Sequence, residues 1–256
     1  MKRFKFYRDN IVTTTLLLMS SGSATDTNLT DRNPKTQWIT SGDSADGTTA
    51  TISFVPGSST NVSSIMLKNH NFADFNVIYD SNPANVFTPN LTVSSYSHSN
   101  TLIDFATQAV SSIDINVWRT QIIGREKRLG QLIISDEKIE LAANPDFNGY
   151  NPIKKRIGIE QELADGGIVV IDLDQKFRAS IDLPYIPSAT YDSLTAIYDD
   201  HKPLVFVPFA ASTYTSYWVG DAWSVNWIGD LDINRFYGSD IGIGYRGTIN
   251  IAETPN

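Results

Sequence analysis

Cysteine is absent from the 256 residues. Disulfides and thiolate metal sites are therefore excluded, and a chain of this length must hold itself together by packing. Histidine is scarce as well. His70, His98 and His201 stand far apart, and none lies in HExxH or another metal-ligand spacing. Positive charge is in deficit: 20 Lys and Arg face 28 Asp and Glu, a net charge of −8 with a pI near 4.8. That sign argues against nucleic acid as a partner, because phosphate binding needs a basic face. The basic clusters that exist (Lys2, Arg3 and Lys5; Arg125, Lys127 and Arg128; Lys154, Lys155 and Arg156) are short and read as solvated surface. No run reaches the roughly 18–20 apolar residues of a bilayer-spanning helix, so no membrane partner is expected.

What is present is mostly strand signal. TATISFV (49–55), SSIMLKN (63–69), FNVIYD (75–80), SIDINVW (112–118) and GQLIIS (130–135) are rich in β-branched and aromatic residues, with turn formers near most of their ends. In SIDINVW, Ile113, Ile115 and Val117 take one face and Asp114 and Asn116 the other, as in a half-buried antiparallel strand. The N-terminal MKRFKFYRDNIVTTTLLLMSSGSAT has the basic start and apolar stretch of a cleavable signal. Asp9 and Asn10 interrupt it, however, and Phe4 and Phe6 alternate with Arg3 and Lys5, which is a strand pattern.

The alternation weakens between Ser135 and Lys155, where NPDFNGYNP is dense in turn formers. A domain over 1–135, a linker over 136–152 and a second β-rich domain over 153–256 are expected. In the second, KRIGIEQEL, GGIVVIDL and KFRASIDLPYI are separated by turn-like Asp165-Gly166-Gly167 and Asp174-Gln175. Ser188–His201 is the one convincing helix. Ser188 is its candidate N-cap, Tyr191, Leu194, Ile197 and Tyr198 form one face, and Pro203 lies just beyond the end. The fold class is mainly β: a jelly-roll-like N-terminal sandwich and a C-terminal barrel or sandwich with one short helix.

Candidate chemistry is thin. No GxSxG elbow occurs. The acidic pairs Asp172 and Asp174, Asp199 and Asp200, and Asp230 and Asp232 each have a structural reason for their place, and sequence cannot show the carboxylate separation a glycosidase needs. Gly242–Gly247 spells GxGxxG, but its glycines alternate with Ile243 and Tyr245 inside a strand pattern, whereas the dinucleotide fingerprint works between a strand and a helix. Asp26, Asp31 and Asp43 offer oxygens for calcium, although turn capping explains them as well. Tyr214, Tyr217, Trp218, Trp223 and Trp227 suit either a sugar-stacking platform or a core; Trp223, Val225 and Trp227 share a strand face, which favours core. No catalytic, cofactor-binding or metal-binding residue is assigned and no cofactor is expected. The chain does not read as an enzyme.

Asn28-Leu29, Asp31, Thr36 and Trp38, followed by Ser41 and then TISFV, SSIML and FNVIYD, resemble the galactose-binding-like β-sandwich of the discoidin type over about Gly22–Ser135. The resemblance implies that Trp38 packs into the sandwich, with Asp31 and Thr36 capping the turn around it. NLTDRNPKTQW, IMLKNHNFADFNVIY and a second β-rich domain with one helix before PLVFVPF also look like bacteriophage tail proteins of the tail-tip, distal-tail or baseplate kind. That resemblance implies a structural virion protein acting by symmetric assembly. Its partners would be other tail proteins and copies of itself, with a host-surface glycan as a further ligand. A carbohydrate-binding module or adhesin is the alternative, and a glycan-degrading enzyme a weaker one.

Overall fold

The computed structural model describes residues 2–8, 10–13, 16–20, 26–31, 36–41, 48–85, 92–93, 97–141, 144–145, 149–162, 168–211, 222–238 and 242–254. The chain divides into two compact units, Met1–Lys138 with Val207–Ala222, and Ile139–Phe206 with Trp223–Pro255.

The first unit is built from short strands: β1 (Lys2–Tyr7), β2 (Leu17–Met19), β3 (Trp38–Ile39), β4 (Ala50–Phe54), β5 (Thr60–Lys68), β6 (Phe72–Tyr79), β7 (Thr92–Val93), β8 (Thr101–Val110), β9 (Ile113–Thr120), β10 (Arg128–Leu129) and β11 (Gln131–Ser135). A five-stranded sheet runs in the order β2-β4-β9-β6-β7 and a three-stranded sheet in the order β11-β5-β8, with β3 and β10 as a separate ribbon. All of the registered pairings are antiparallel. The alternating sequence explains this arrangement. Ile52 and Phe54 of β4, Phe75 and Val77 of β6, and Ile113, Ile115 and Val117 of β9 turn inward onto Ile65 and Leu67 of β5, Ile103 and Phe105 of β8, and Leu132 and Ile134 of β11. The result is one sandwich core. Each fully buried side chain of this size contributes about 1.5–3 kcal/mol.

The polar side of β9 is not bare. Thr51 Oγ1 donates to Asn116 Oδ1 at 2.8 Å and Asn116 Nδ2 to Asn76 Oδ1 at 3.0 Å, a ladder across β4, β9 and β6. Asp114 is buried and accepts from Ser53 Oγ at 2.5 Å and Ser81 Oγ at 3.0 Å.

The N-terminal segment is part of the fold, as its strand pattern suggests, but Lys5 does not point to solvent. Phe4, Lys5, Phe6 and Tyr7 are all buried. The reason is a counterion. Lys5 Nζ pairs with the Asp104 carboxylate on β8, which also accepts from Tyr7 Oη at 3.2 Å and Lys138 Nζ at 2.6 Å. Beyond β1 the chain runs along β11, with Ile11 N–H donating to Ile134 O and the Asn10 side chain bridging Leu132 O and Ile134 N–H.

After β12 (Lys138–Glu140), the second unit contains β13 (Tyr150–Glu162), β14 (Ile168–Pro187), α1 (Ser188–Asp200), β15 (Leu204–Ala211, of which Leu204–Phe206 belongs here), β16 (Trp223–Trp227), β17 (Asp232–Gly238) and β18 (Gly242–Glu253). The strands lie in the order β15-β16-β18-β14-β13, with β17 also on β18. Of the barrel and the sandwich expected here, no closed barrel is seen among the described residues: β13 ends the sheet.

Two expectations about this unit need correction. Asp174-Gln175 is not a turn, because β14 continues through it. β13 runs alongside, Ile157 faces Asp174 and Gly158 faces Asp172, and the intervening Leu173 is absorbed as a bulge. The Asp165-Gly166-Gly167 turn lies outside the described residues. Nor is Ser188 the N-cap. Pro187 is held extended by its pairing with Gly244 and takes the cap position without a side-chain hydrogen bond, which leaves Ser188 as the first helical residue. The helix ends at Asp200, with His201 left-handed at φ 51° and donating its N–H to Tyr198 O. Its apolar face is as expected. Leu194 and Ile197 are buried, Tyr191 stacks flat on Tyr245 with centroids 3.9 Å apart, and Tyr198 meets Trp227 edge-on at 5.5 Å.

Candidate functional site

Two surfaces of the described structure have the form of a site, one in each unit. In the first unit the turn from β5 to β6 reverses tightly, with Asn69 at φ 54°, a conformation that Asn tolerates better than most residues. Asn69 N–H donates to Asn100 Oδ1 at 2.9 Å, and His70 N–H donates to Ser99 O at 2.8 Å. From the other side Gly130 brings its N–H to Lys68 O and Asn69 O, both at 3.1 Å. A Cβ at Gly130 would sit 3.0 Å from Asn69 Cβ and 3.2 Å from Lys68 O, so glycine is what permits the approach. Together Lys68, Asn69, Ser99, Asn100, Gly130 and Gln131 line a cleft of about 280 Å³. Its lining supplies amides, a hydroxyl and one ammonium group, but no carboxylate and no aromatic ring. Such a surface suits a neutral ligand rich in hydroxyl groups.

His70 stands beneath this cleft as a core residue. Its Nδ1 accepts from Phe72 N–H at 3.1 Å and its Nε2 lies 2.9 Å from Thr101 Oγ1, which assigns the proton to Nε2. Burial pushes its pKa down to about 3. His98 and His201 are exposed, and among the described residues no three His, Asp or Glu side chains come together in a cation-binding arrangement.

The other sequence candidates separate in the same way. Asp31 is exposed and accepts from Thr36 Oγ1 at 2.7 Å, the turn-capping role. Asp43 lies outside the described residues, and only the backbone of Asp26 is described, in the short 3-10 turn Asp26–Leu29. Asp172 and Asp174 are strand positions on β14. Asp199 and Asp200 end α1, where Asp200 pairs with Lys202 at 3.5 Å, and Asp232 opens β17 and accepts from Asn234 Nδ2 at 3.1 Å. The GxGxxG residues Gly242–Gly247 lie within β18, with no helix after them. A Cβ on Gly247 would meet Asp232 O at 2.0 Å and Ile233 Cα at 2.7 Å, so strand contact explains that glycine. Trp223 stacks on Phe177 at 4.1 Å and 10°, and Val225 is fully buried, while Trp227 packs against α1. These rings are core or core margin. Tyr214, Tyr217 and Trp218 fall outside the described residues.

The second surface is the edge strand β13. Asn151, Pro152, Ile153, Lys154, Lys155, Arg156, Gly158, Gln161 and Glu162 are all exposed. Consecutive residues of a strand point to opposite faces, so 151–156 is uncovered on both sides. Pro152, which has no N–H to give a ladder, is tolerated because this strand is an edge.

No protein-family model matches the sequence, and no curated protein does. Among solved structures the chain is similar to a chitosan-binding module of a chitosanase/glucanase from Paenibacillus sp. IK-5. Identity is 14% and the TM-score 0.41, over 50% of this chain and 99% of that one. It is similar also to a CBM32 module of Clostridium perfringens in complex with GalNAc-β-1,3-galactose, at 13% identity and a TM-score of 0.37, over 46% of this chain and 93% of that one. A GH29 fucosidase of Ruminococcus gnavus matches at 16% identity and a TM-score of 0.40, over 50% of this chain and 26% of the fucosidase. The sandwich assignment rests on the strand order and core described above.

Neither surface was named as a site from sequence. Asn69, Ser99, Asn100 and Gln131 are ordinary turn and strand-end residues until the fold collects them. β13 has in sequence only the pattern of one more strand, and its cations fit solvated surface.

Proposed function

We propose that the chain is a non-catalytic protein that works by assembly, as a structural component of a bacteriophage tail. The assembly in this reading is supported by the thirteen-residue edge β13, whose residues 151–156 are uncovered on both faces; the tail part rests on the sequence resemblance. A long edge of that kind is a template for another strand, and proteins that do not use one cover it, shorten it or blunt it with proline and charge; here Pro152 and the three cations Lys154, Lys155 and Arg156 occupy one end only. In closed symmetry it joins copies of one chain. Negative-stain electron microscopy of the purified chain tests the reading. Symmetric rings or clusters are expected, and fields of single small particles would count against it.

A second reading, glycan recognition by the sandwich, is favoured by the polar cleft at Lys68, Asn69, Ser99, Asn100, Gly130 and Gln131. The two are compatible, since an assembled protein can present a binding module many times over. Calorimetric titration with a panel of neutral oligosaccharides should give a saturable signal. Ser99→Trp, a change at an exposed position on the cleft wall, should abolish it. A full panel without binding removes this reading and leaves the first.

A further inference from the structure

The uncovered face of the second unit's sheet is hollowed over β14, β18 and β17. The cleft has a volume of about 400 Å³, and Gly149, Asp182, Pro184, Asn234, Arg246 and Thr248 are among its lining residues. Asp182 falls between the buried Ile181 and Leu183, and Arg246 and Thr248 alternate with Gly247 and the buried Ile249. These polar residues therefore stand on the face away from the core. The hollow has a local cause. Between the pairs Leu183–Gly247 and Ile186–Tyr245, β14 has one residue more than β18. Pro184 and Tyr185 thus form a bulge opposite Arg246, and a bulge bends its strand and re-aims the side chains beside it. On the other side of β18, Asn234 is the register partner of Arg246.

The polar groups here are unequally engaged. Asp182 Oδ1 accepts from Thr248 Oγ1 at 2.6 Å, and Asp232 Oδ1 accepts from Asn234 Nδ2 at 3.1 Å. Both carboxylates therefore have donors of their own. Arg246 is exposed, and among the described residues it forms no ion pair and no side-chain hydrogen bond. In a chain with 28 acidic and 20 basic residues, an arginine close to two aspartates and paired with neither is open to a ligand. Its guanidinium is a planar fork of N–H groups that matches a carboxylate through two hydrogen bonds. Asp182 Oδ2 and Asn234 Oδ1 are acceptors, and hydroxyl groups satisfy them. Pro184 is the one exposed apolar side chain in the lining, so a peptide would find no pocket for its own side chains.

We propose that this cleft binds an acidic sugar, with the sugar carboxylate on Arg246 and ring hydroxyls on Asp182 and Asn234. The site belongs to the second unit and takes an anion, so it goes beyond both the assembly reading and the neutral-glycan reading of the sandwich cleft. The net charge of −8 opposes an anionic ligand at long range. That repulsion is screened beyond about 8 Å at physiological salt, whereas the contact with Arg246 is local.

The test is a saturation-transfer NMR titration of the full chain with methyl β-D-glucuronide and methyl β-D-galacturonide. The controls are methyl β-D-glucoside and methyl β-D-galactoside, which carry a hydroxymethyl group in place of the carboxylate. At least one uronide should bind saturably, and its neutral counterpart at least about tenfold more weakly, as loss of a charge-assisted pair requires. Arg246→Gln should weaken the uronide by a similar factor without changing thermal unfolding, because the side chain is exposed and holds nothing in place. Ser99→Trp should leave uronide binding as it is. N-acetylglycine, a carboxylate without ring hydroxyls, should bind at least about tenfold more weakly than the uronide. A chain that binds neither uronide, or binds one regardless of Arg246→Gln, would overturn the site. Uronide binding lost in Ser99→Trp would move the sugar to the sandwich cleft, against this site and in favour of the other reading. N-acetylglycine bound as tightly as the uronide would overturn the sugar assignment and point to a peptide terminus.

Discussion

Trp38 shows how much one side chain can decide. In a mostly polar stretch it could serve a ligand or close a core. The structure buries it completely, on a ribbon where it pairs with Leu129, under a turn tied by the Thr36–Asp31 hydrogen bond. Trp38→Ala should therefore cost about 3–5 kcal/mol in urea unfolding, the range for deleting a large core aromatic. A variant as stable as wild type would contradict the burial. His70 makes a second residue-scale statement. The folded chain holds its imidazole neutral down to about pH 3, whereas the unfolded chain takes a proton near 6.5. The stability this histidine contributes is fully present above about pH 6.5. It is lost as pH falls toward 3, at about 1.4 kcal/mol per pH unit. His70→Asn, whose Oδ1 can still accept from Phe72 N–H, should lose less stability than wild type between pH 6.5 and 4.5. Parallel pH profiles would show that His70 already titrates normally.

At the scale of elements, the sequence was legible wherever one face of a strand or helix is buried. β4, β5, β6, β9 and β11 stand close to where alternation puts them, and α1 presents Leu194 and Ile197 as its 3.6-residue spacing requires. It misled where a neighbour overrides a local signal. Asp174-Gln175 reads as a turn until β13 lies beside it, and Lys5 reads as surface until Asp104 meets it from β8. Neither partner is near in sequence, so no window along the chain could have shown it. The same is true of the cleft, whose walls come from three separated segments. Gly247 gives an element-scale prediction. Its missing Cβ is what lets β17 reach β18, and the obstruction is backbone, which cannot rotate away. Gly247→Ala should lower stability by about 1–3 kcal/mol or more, as overpacking does. Hydrogen exchange should show protection lost first in Ile233–Tyr237. Unchanged protection there would put the close approach in doubt.

For the whole molecule, the functional reading depends on where polar and uncovered surface lies. The first unit spends its apolar residues on a single sandwich core and gathers amides in a cleft. The second buries one side of its sheet and ends at a long, uncovered, two-signed edge. Among the acidic pairs, Asp200 is ion-paired with Lys202 and Asp232 accepts from Asn234. Recognition and assembly are the uses proposed for these surfaces. The most direct measurement is the mass of the full chain by light scattering across a concentration series. An integral multiple of the 28.3 kDa chain is expected, held or approached as concentration rises. A mass of one chain at every concentration would contradict it.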